Sequence, residues 1–70
     1  MVVVSKKLKV AIKLNPKPAY QIAWEAKVNP NVLSKLINGI ERVQPNDQRI
    51  IAVGKVLKVP AEECFQEDSH

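Results

Sequence analysis

The sequence is poor in the residues that staple small proteins together. Its single cysteine, Cys64, has no partner for an internal disulfide, and its single histidine, His70, cannot complete a zinc site with one thiol. In a chain of 70 residues this leaves packed helices or oligomerisation as the source of stability. The only glycines, Gly39 and Gly54, are too far apart to form a glycine-rich phosphate loop, and there is no repeat or low-complexity tract. Long apolar runs are also missing. The longest, residues 1–4 and 50–53, are too short for a membrane span or a signal-peptide core. Ser34 has no His or Asp arrangement to make it a nucleophile, and no base neighbours Cys64 in sequence. The expectation is one small, soluble, cytoplasmic domain with a reduced thiol; no enzyme activity, cofactor, metal or membrane partner is implied.

Acid is scarce over most of the chain. Residues 1–58 hold all 11 Lys and Arg but only Glu25, Glu41 and Asp47, a balance of 11 − 3 = +8. Residues 59–70 hold Glu62, Glu63, Glu67 and Asp68 and no base, a balance of −4. A basic body suits a polyanionic partner, and a solvated lysine-rich face is the plain alternative.

With 46% apolar residues there is enough material for a packed core. Five prolines divide the chain. Pro16 and Pro18 place a loop or helix entrance at residues 15–18, because alternate prolines cannot sit inside a helix. Ile22, Ala23 and Ala26 then recur at helical spacing over about residues 18–26. Asn29 is a good N-cap with Pro30 at the first helical position, which opens a helix over about 30–38 with Leu33, Leu36 and Ile37 on one face and Gly39 as its stop. After Pro45, Asn46 caps a helix carrying Ile50, Val53 and Leu57, which Pro60 closes. Residues 61–65 read as a last helical turn, with Glu62 and Glu63 near its positive end and Cys64 and Phe65 toward the core. Residues 6–14 are ambiguous. Leu8, Val10, Ile12 and Leu14 alternate with Lys7, Lys9, Ala11 and Lys13 as in a strand, yet Val4, Leu8, Ala11 and Ile12 form a helical stripe. No second strand is evident for residues 8–14, which favours helix.

Two short helices joined by a turn of about three residues form a helix-turn-helix. The run from Ile22 to Gly39 resembles the phage-repressor-type, or XRE, family with its lambda-repressor-like fold. The resemblance rests on Ile22-Ala23, Ala26, Leu33-Ser34 and Gly39, and extends from about Leu8 to Phe65 through Pro45, the Ile50–Leu57 stripe and Val59-Pro60-Ala61-Glu62-Glu63-Cys64-Phe65. Some residues depart from the family pattern. Lys27 and Lys58 stand where the family usually has glycine, and Ala19 stands where it often has a DNA-contacting Gln.

The resemblance implies an all-α, five-helix bundle over residues 1–66 with a short acidic tail at 67–70. It also implies a repressor-like transcriptional regulator binding double-stranded DNA as a homodimer, with helix 30–38 in the major groove. Asn31, Ser34, Lys35 and Asn38 are the base-contact candidates, since Asn suits adenine and Lys suits the guanine O6/N7 edge. Lys17, Gln21, Asn29 and Arg42 are the phosphate candidates, with Lys13 weaker. The plain reading of each is a solvated side chain. Tyr20 and Trp24, four residues apart, either pack on the first helix and the 15–18 loop or meet a partner chain. Two alternatives stand beside this reading. One is an antitoxin or accessory protein of the same fold whose main partner is a protein. The other is a ribbon-helix-helix dimer in which residues 8–14 form the DNA-binding strand and Lys7, Lys9 and Lys13 enter the groove.

Overall fold

Val2, Val3 and Val4 are three successive β-branched residues, and their backbone is extended. In the computed structural model, which describes residues 2–67, they form strand β1 (Val2–Val4). Helices α1 (Lys6–Leu14), α2 (Ala19–Glu25), α3 (Pro30–Ile37) and α4 (Gln48–Leu57) follow, then a 3₁₀ turn (Ala61–Glu63) and strand β2 (Phe65–Glu67). β1 and β2 pair antiparallel, with Val2 opposite Glu67, Val3 opposite Gln66 and Val4 opposite Phe65.

This architecture corrects the expected five-helix, all-α bundle. Among the described residues the fold is a small mixed α/β one, with four α-helices and a two-stranded sheet. The expected fifth helix stops after a single 3₁₀ turn, and residues 65–67 run extended because β1 offers them hydrogen-bonding partners. Glu67, expected to begin an acidic tail, belongs to β2, and residues 68–70 of that tail lie outside the described residues. Residues 6–14 are helical, which removes the strand that a ribbon-helix-helix dimer would need.

Ser5 joins the sheet to the helices. Its Oγ accepts from the Leu8 amide at 3.1 Å as the N-cap of α1, and donates to the Glu63 carbonyl at 2.6 Å. The Ser5 amide donates to the Cys64 carbonyl at 2.9 Å. At α4 the capping residue is one later than expected. Asn46 takes a left-handed φ of 56°, and Asp47 caps instead, accepting from the Arg49 amide at 3.0 Å.

Helices α2, α3 and α4 end alike. Beyond each, one residue turns left-handed: Lys27 at φ 60°, Gly39 at 75° and Lys58 at 61°. The next amide then reaches back to a carbonyl five residues earlier, Val28 to Ala23 at 2.8 Å, Ile40 to Lys35 at 2.9 Å and Val59 to Gly54 at 2.7 Å. This is the Schellman arrangement, which satisfies carbonyls that a helix end leaves open. The lysines at two of these positions stand at helix C-termini, where a cation is favoured by the macrodipole.

Leu8 and Ile12 of α1, Ile22 and Ala23 of α2, Leu33 and Leu36 of α3, and Ile50 and Val53 of α4 make up most of the core. Val4 and Cys64 close it from the sheet side. Gly54 is needed at that closure. A Cβ there would collide with the Cys64 sulfur and come within 2.9 Å of the Val59 carbonyl oxygen.

Candidate nucleic-acid interface

Leu33 and Leu36 anchor α3 in the core, so the opposite side of the helix must face out. Asn31, Ser34, Lys35 and Asn38 all lie there, and all four are exposed. The start of α3 is fixed by Asn29, whose Oδ1 accepts from the Asn31 amide at 2.8 Å, and by Pro30, whose fixed φ suits the first turn. Its end is fixed by the Gly39 turn. Between α2 and α3 lie four residues, 26–29, with Lys27 supplying the left-handed step. These two helices and their connection thus stand where sequence spacing places them.

The face is chemically varied. The Asn38 amide nitrogen donates to Ser34 Oγ at 3.2 Å, which ties these two side chains into one polar unit. Lys35 lies farther round the helix. Of the phosphate candidates, Gln21, Asn29 and Arg42 are exposed, with the Asn29 acceptor committed to capping. Lys17 is also exposed, and its Nζ pairs with both Glu25 carboxylate oxygens at 3.0 and 2.8 Å. That surface pair contributes little to stability, and Lys17 must leave it to meet another anion.

Four of the carboxylates are engaged elsewhere. Glu25 pairs with Lys17, Glu63 with Lys7, and Glu41 and Asp47 with Arg49. Among the described residues no carboxylate pairs with Lys9, Lys13, Lys35 or Arg42. Asp47 is only 6% exposed, and the Arg49 guanidinium meets it in a fork, Nε to Oδ1 at 3.0 Å and Nη2 to Oδ2 at 2.7 Å. The hydrogen-bonded guanidinium holds the Asp47 carboxyl below the usual range, with the Gln44 and Arg49 amides adding to the effect and burial opposing it. The result is a braced α3–α4 connection that carries Arg42.

Two hollows flank α3. The larger, about 450 Å³, lies between α1 and α3 at the start of α2. The smaller, about 300 Å³, lies between β1, the end of α3 and the segment carrying Arg42. Lys9, Ile37 and Asn38 border both. Lys9 is a sequence candidate only in the ribbon-helix-helix alternative, as a residue entering the groove from a strand, and not in the helix-turn-helix reading. Its spacing from Lys13 places both on one side of α1 once residues 6–14 are read as helix, but only the packing of α1 on α2 and α4 brings them to the same hollow as Ser34 and Asn38.

Tyr20 and Trp24 meet edge to face, with ring centroids 5.0 Å apart and planes at 73°. They remain 52% and 62% exposed, so the pair is a surface feature of α2. Cys64 is buried, as expected for a core thiol, and burial with the nearby Glu63 charge pushes its pKa up, away from thiolate chemistry. Its Sγ lies 3.3 Å from the Pro60 carbonyl oxygen. No cluster of three metal-binding side chains occurs among the described residues, and no helix there is long and apolar enough to cross a membrane. Comparison with family models, curated proteins and solved structures finds no match for this chain.

Proposed function

We propose that the protein is a cytoplasmic, repressor-like regulator of the phage-repressor (XRE) type that binds double-stranded DNA as a homodimer through α3. The observation that carries this reading is the outward face of α3, where Asn31, Ser34, Lys35 and Asn38 stand exposed on a helix fixed at both ends. Asn and Lys are suited to hydrogen-bonding the major-groove edges of adenine and guanine. Lys9, Lys13 and Arg42, which pair with no carboxylate among the described residues, stand beside that face and suit the phosphates on either side.

The test is selection of duplexes from a random-sequence library, followed by salt titration of the selected duplex. Five phosphate contacts per subunit give a log–log slope of about −4 to −5. Lys35→Ala is expected to relax base preference at one position and weaken the selected duplex by about 1–3 kcal/mol, with little change on random DNA. A slope near zero, or no sequence enrichment, sinks the reading.

A second reading, an antitoxin or accessory protein whose main partner is a protein, is supported by the exposed Tyr20–Trp24 pair. Trp24 is the sole tryptophan, so its fluorescence reports on this surface alone. An emission change when the protein is mixed with a protein partner, but not when DNA is added, supports the second reading. A change on adding DNA alone counts against it.

A further inference from the structure

We propose that the hollow between α1 and α3 seats the sugar–phosphate backbone of one DNA strand, with Lys9 and Lys13 of α1 as its phosphate-binding residues. The inference rests on the DNA-binding reading of α3 and extends it to a helix outside the helix-turn-helix. The hollow has a two-part chemistry that matches this occupant. Its floor is apolar, made by Ile12 of α1, Ala19 at the start of α2, and Leu33 and Ile37 of α3. Its rim is polar and cationic, with Lys9 and Lys13 on the α1 side and Ser34 and Asn38 on the α3 side.

A DNA backbone alternates anionic phosphates with weakly polar deoxyribose rings. The cations meet the former and the floor accepts the latter. Lys9 and Lys13 are four residues apart, so they rise about 6 Å along one side of α1 and lie along the hollow together. Neither is paired with a carboxylate among the described residues, so no ion pair has to break before a phosphate binds. On the opposite rim, the joined Ser34 and Asn38 side chains belong to the face proposed to enter the groove. A strand lying in the hollow therefore borders the bases that α3 reads. Ala19 keeps the space open, because a longer side chain at the start of α2 would fill it.

The test compares Lys9→Gln and Lys13→Gln with Lys55→Gln, an exposed lysine of α4 that borders neither hollow. Each variant is titrated with salt on a mixed-sequence DNA duplex and on a duplex selected from the random library. Each α1 variant is expected to lower the slope by about one unit, equally on both duplexes, and Lys55→Gln is expected to match the parent. A fourth variant, Ala19→Asp, places a carboxylate in the hollow at the first position of α2, where a helix N-terminus favours negative charge. It is expected to melt no lower than the parent while binding DNA several-fold more weakly. If Lys9→Gln and Lys13→Gln both match Lys55→Gln while the parent keeps its steep slope, the backbone seat is overturned and the α3 reading survives. If the parent itself shows no salt-dependent binding, both fall.

Discussion

At the scale of single residues, local preference and packing sometimes demand opposite things. Lys27 adopts φ 60° because the Schellman turn requires it, although a side chain with a Cβ tolerates that region poorly. Lys27→Gly relieves strain of about 1–2 kcal/mol, against about 0.4–1 kcal/mol for the freer unfolded chain and about 0.3 kcal/mol of lost dipole interaction. The melting temperature should therefore rise slightly; a fall of several degrees would show that the turn is not strained. Gly54 presents the reverse case. Helix propensity favours alanine there by about 1 kcal/mol, but the Cys64 sulfur and the Val59 carbonyl occupy the space. Overpacking of about 1–3 kcal/mol should win, so Gly54→Ala lowers the denaturation midpoint. An unchanged or higher midpoint would mean that the closure at Cys64 yields easily. Asp47 adds a dependence on pH. Its folded carboxyl titrates below the unfolded value of about 3.9, so its contribution is complete above that pH and is lost as pH falls through the folded pKa. Asp47→Asn should accordingly show a shallower loss of stability below about pH 4 than the parent in acid-unfolding curves.

At the scale of elements, what was legible in the sequence was what is encoded locally. Pro18, Asn29, Pro30 and Gly39 mark the ends of α2 and α3 by their own backbone and capping chemistry, and the apolar spacing between them shows which faces are buried. The exposed α3 face follows from the same spacing, which places Asn31 and Lys35 on it from the sequence alone. The sheet could not be read in this way. Each strand has only three residues, and they come from opposite ends of the described chain, so neither carries an alternating pattern long enough to recognise. Ile22 and Leu33 could be assigned to a core from periodicity, whereas the position of Lys9 at the hollow beside Asn38 depends on how α1 packs on α2 and α4. Ser5 is where local and distant signals meet, as a helix cap and as a tie to the 3₁₀ turn. Ser5→Ala removes a cap of about 1 kcal/mol and leaves the Glu63 carbonyl without its donor for about 1 kcal/mol more. A loss of about 2 kcal/mol in denaturant titration is therefore expected. A loss well under 1 kcal/mol would mean that water replaces the serine at both positions.

At the scale of the whole molecule, the sheet changes what kind of folding unit this is. A helical bundle with loose ends would let residues near either terminus open on their own, since frayed ends have little burial to lose. Here β1 and β2 hold each other, and Val4, only 1% exposed, seals the core beside Leu8 and Cys64. For a domain of this size the total stability is only about 3–10 kcal/mol. Burial of one valine at about 1.5–3 kcal/mol is then a substantial fraction of it. Opening the sheet alone would expose Val4 and break the bonds from Ser5 to Glu63 and Cys64 together, so local opening should be nearly as costly as global unfolding. Native-state hydrogen exchange measures this directly at the Ser5 amide, which donates to the Cys64 carbonyl at 2.9 Å. Its opening free energy should fall within about 1.4 kcal/mol, or tenfold in protection, of the slowest amides in α2 and α4. Val4→Ala should lower all of these amides together, because the residue it weakens belongs to the one cooperative core. If Ser5 instead exchanges near the rate of an unfolded chain while α2 and α4 stay protected, the sheet is a frayed appendage. The helices alone would then constitute the folding unit.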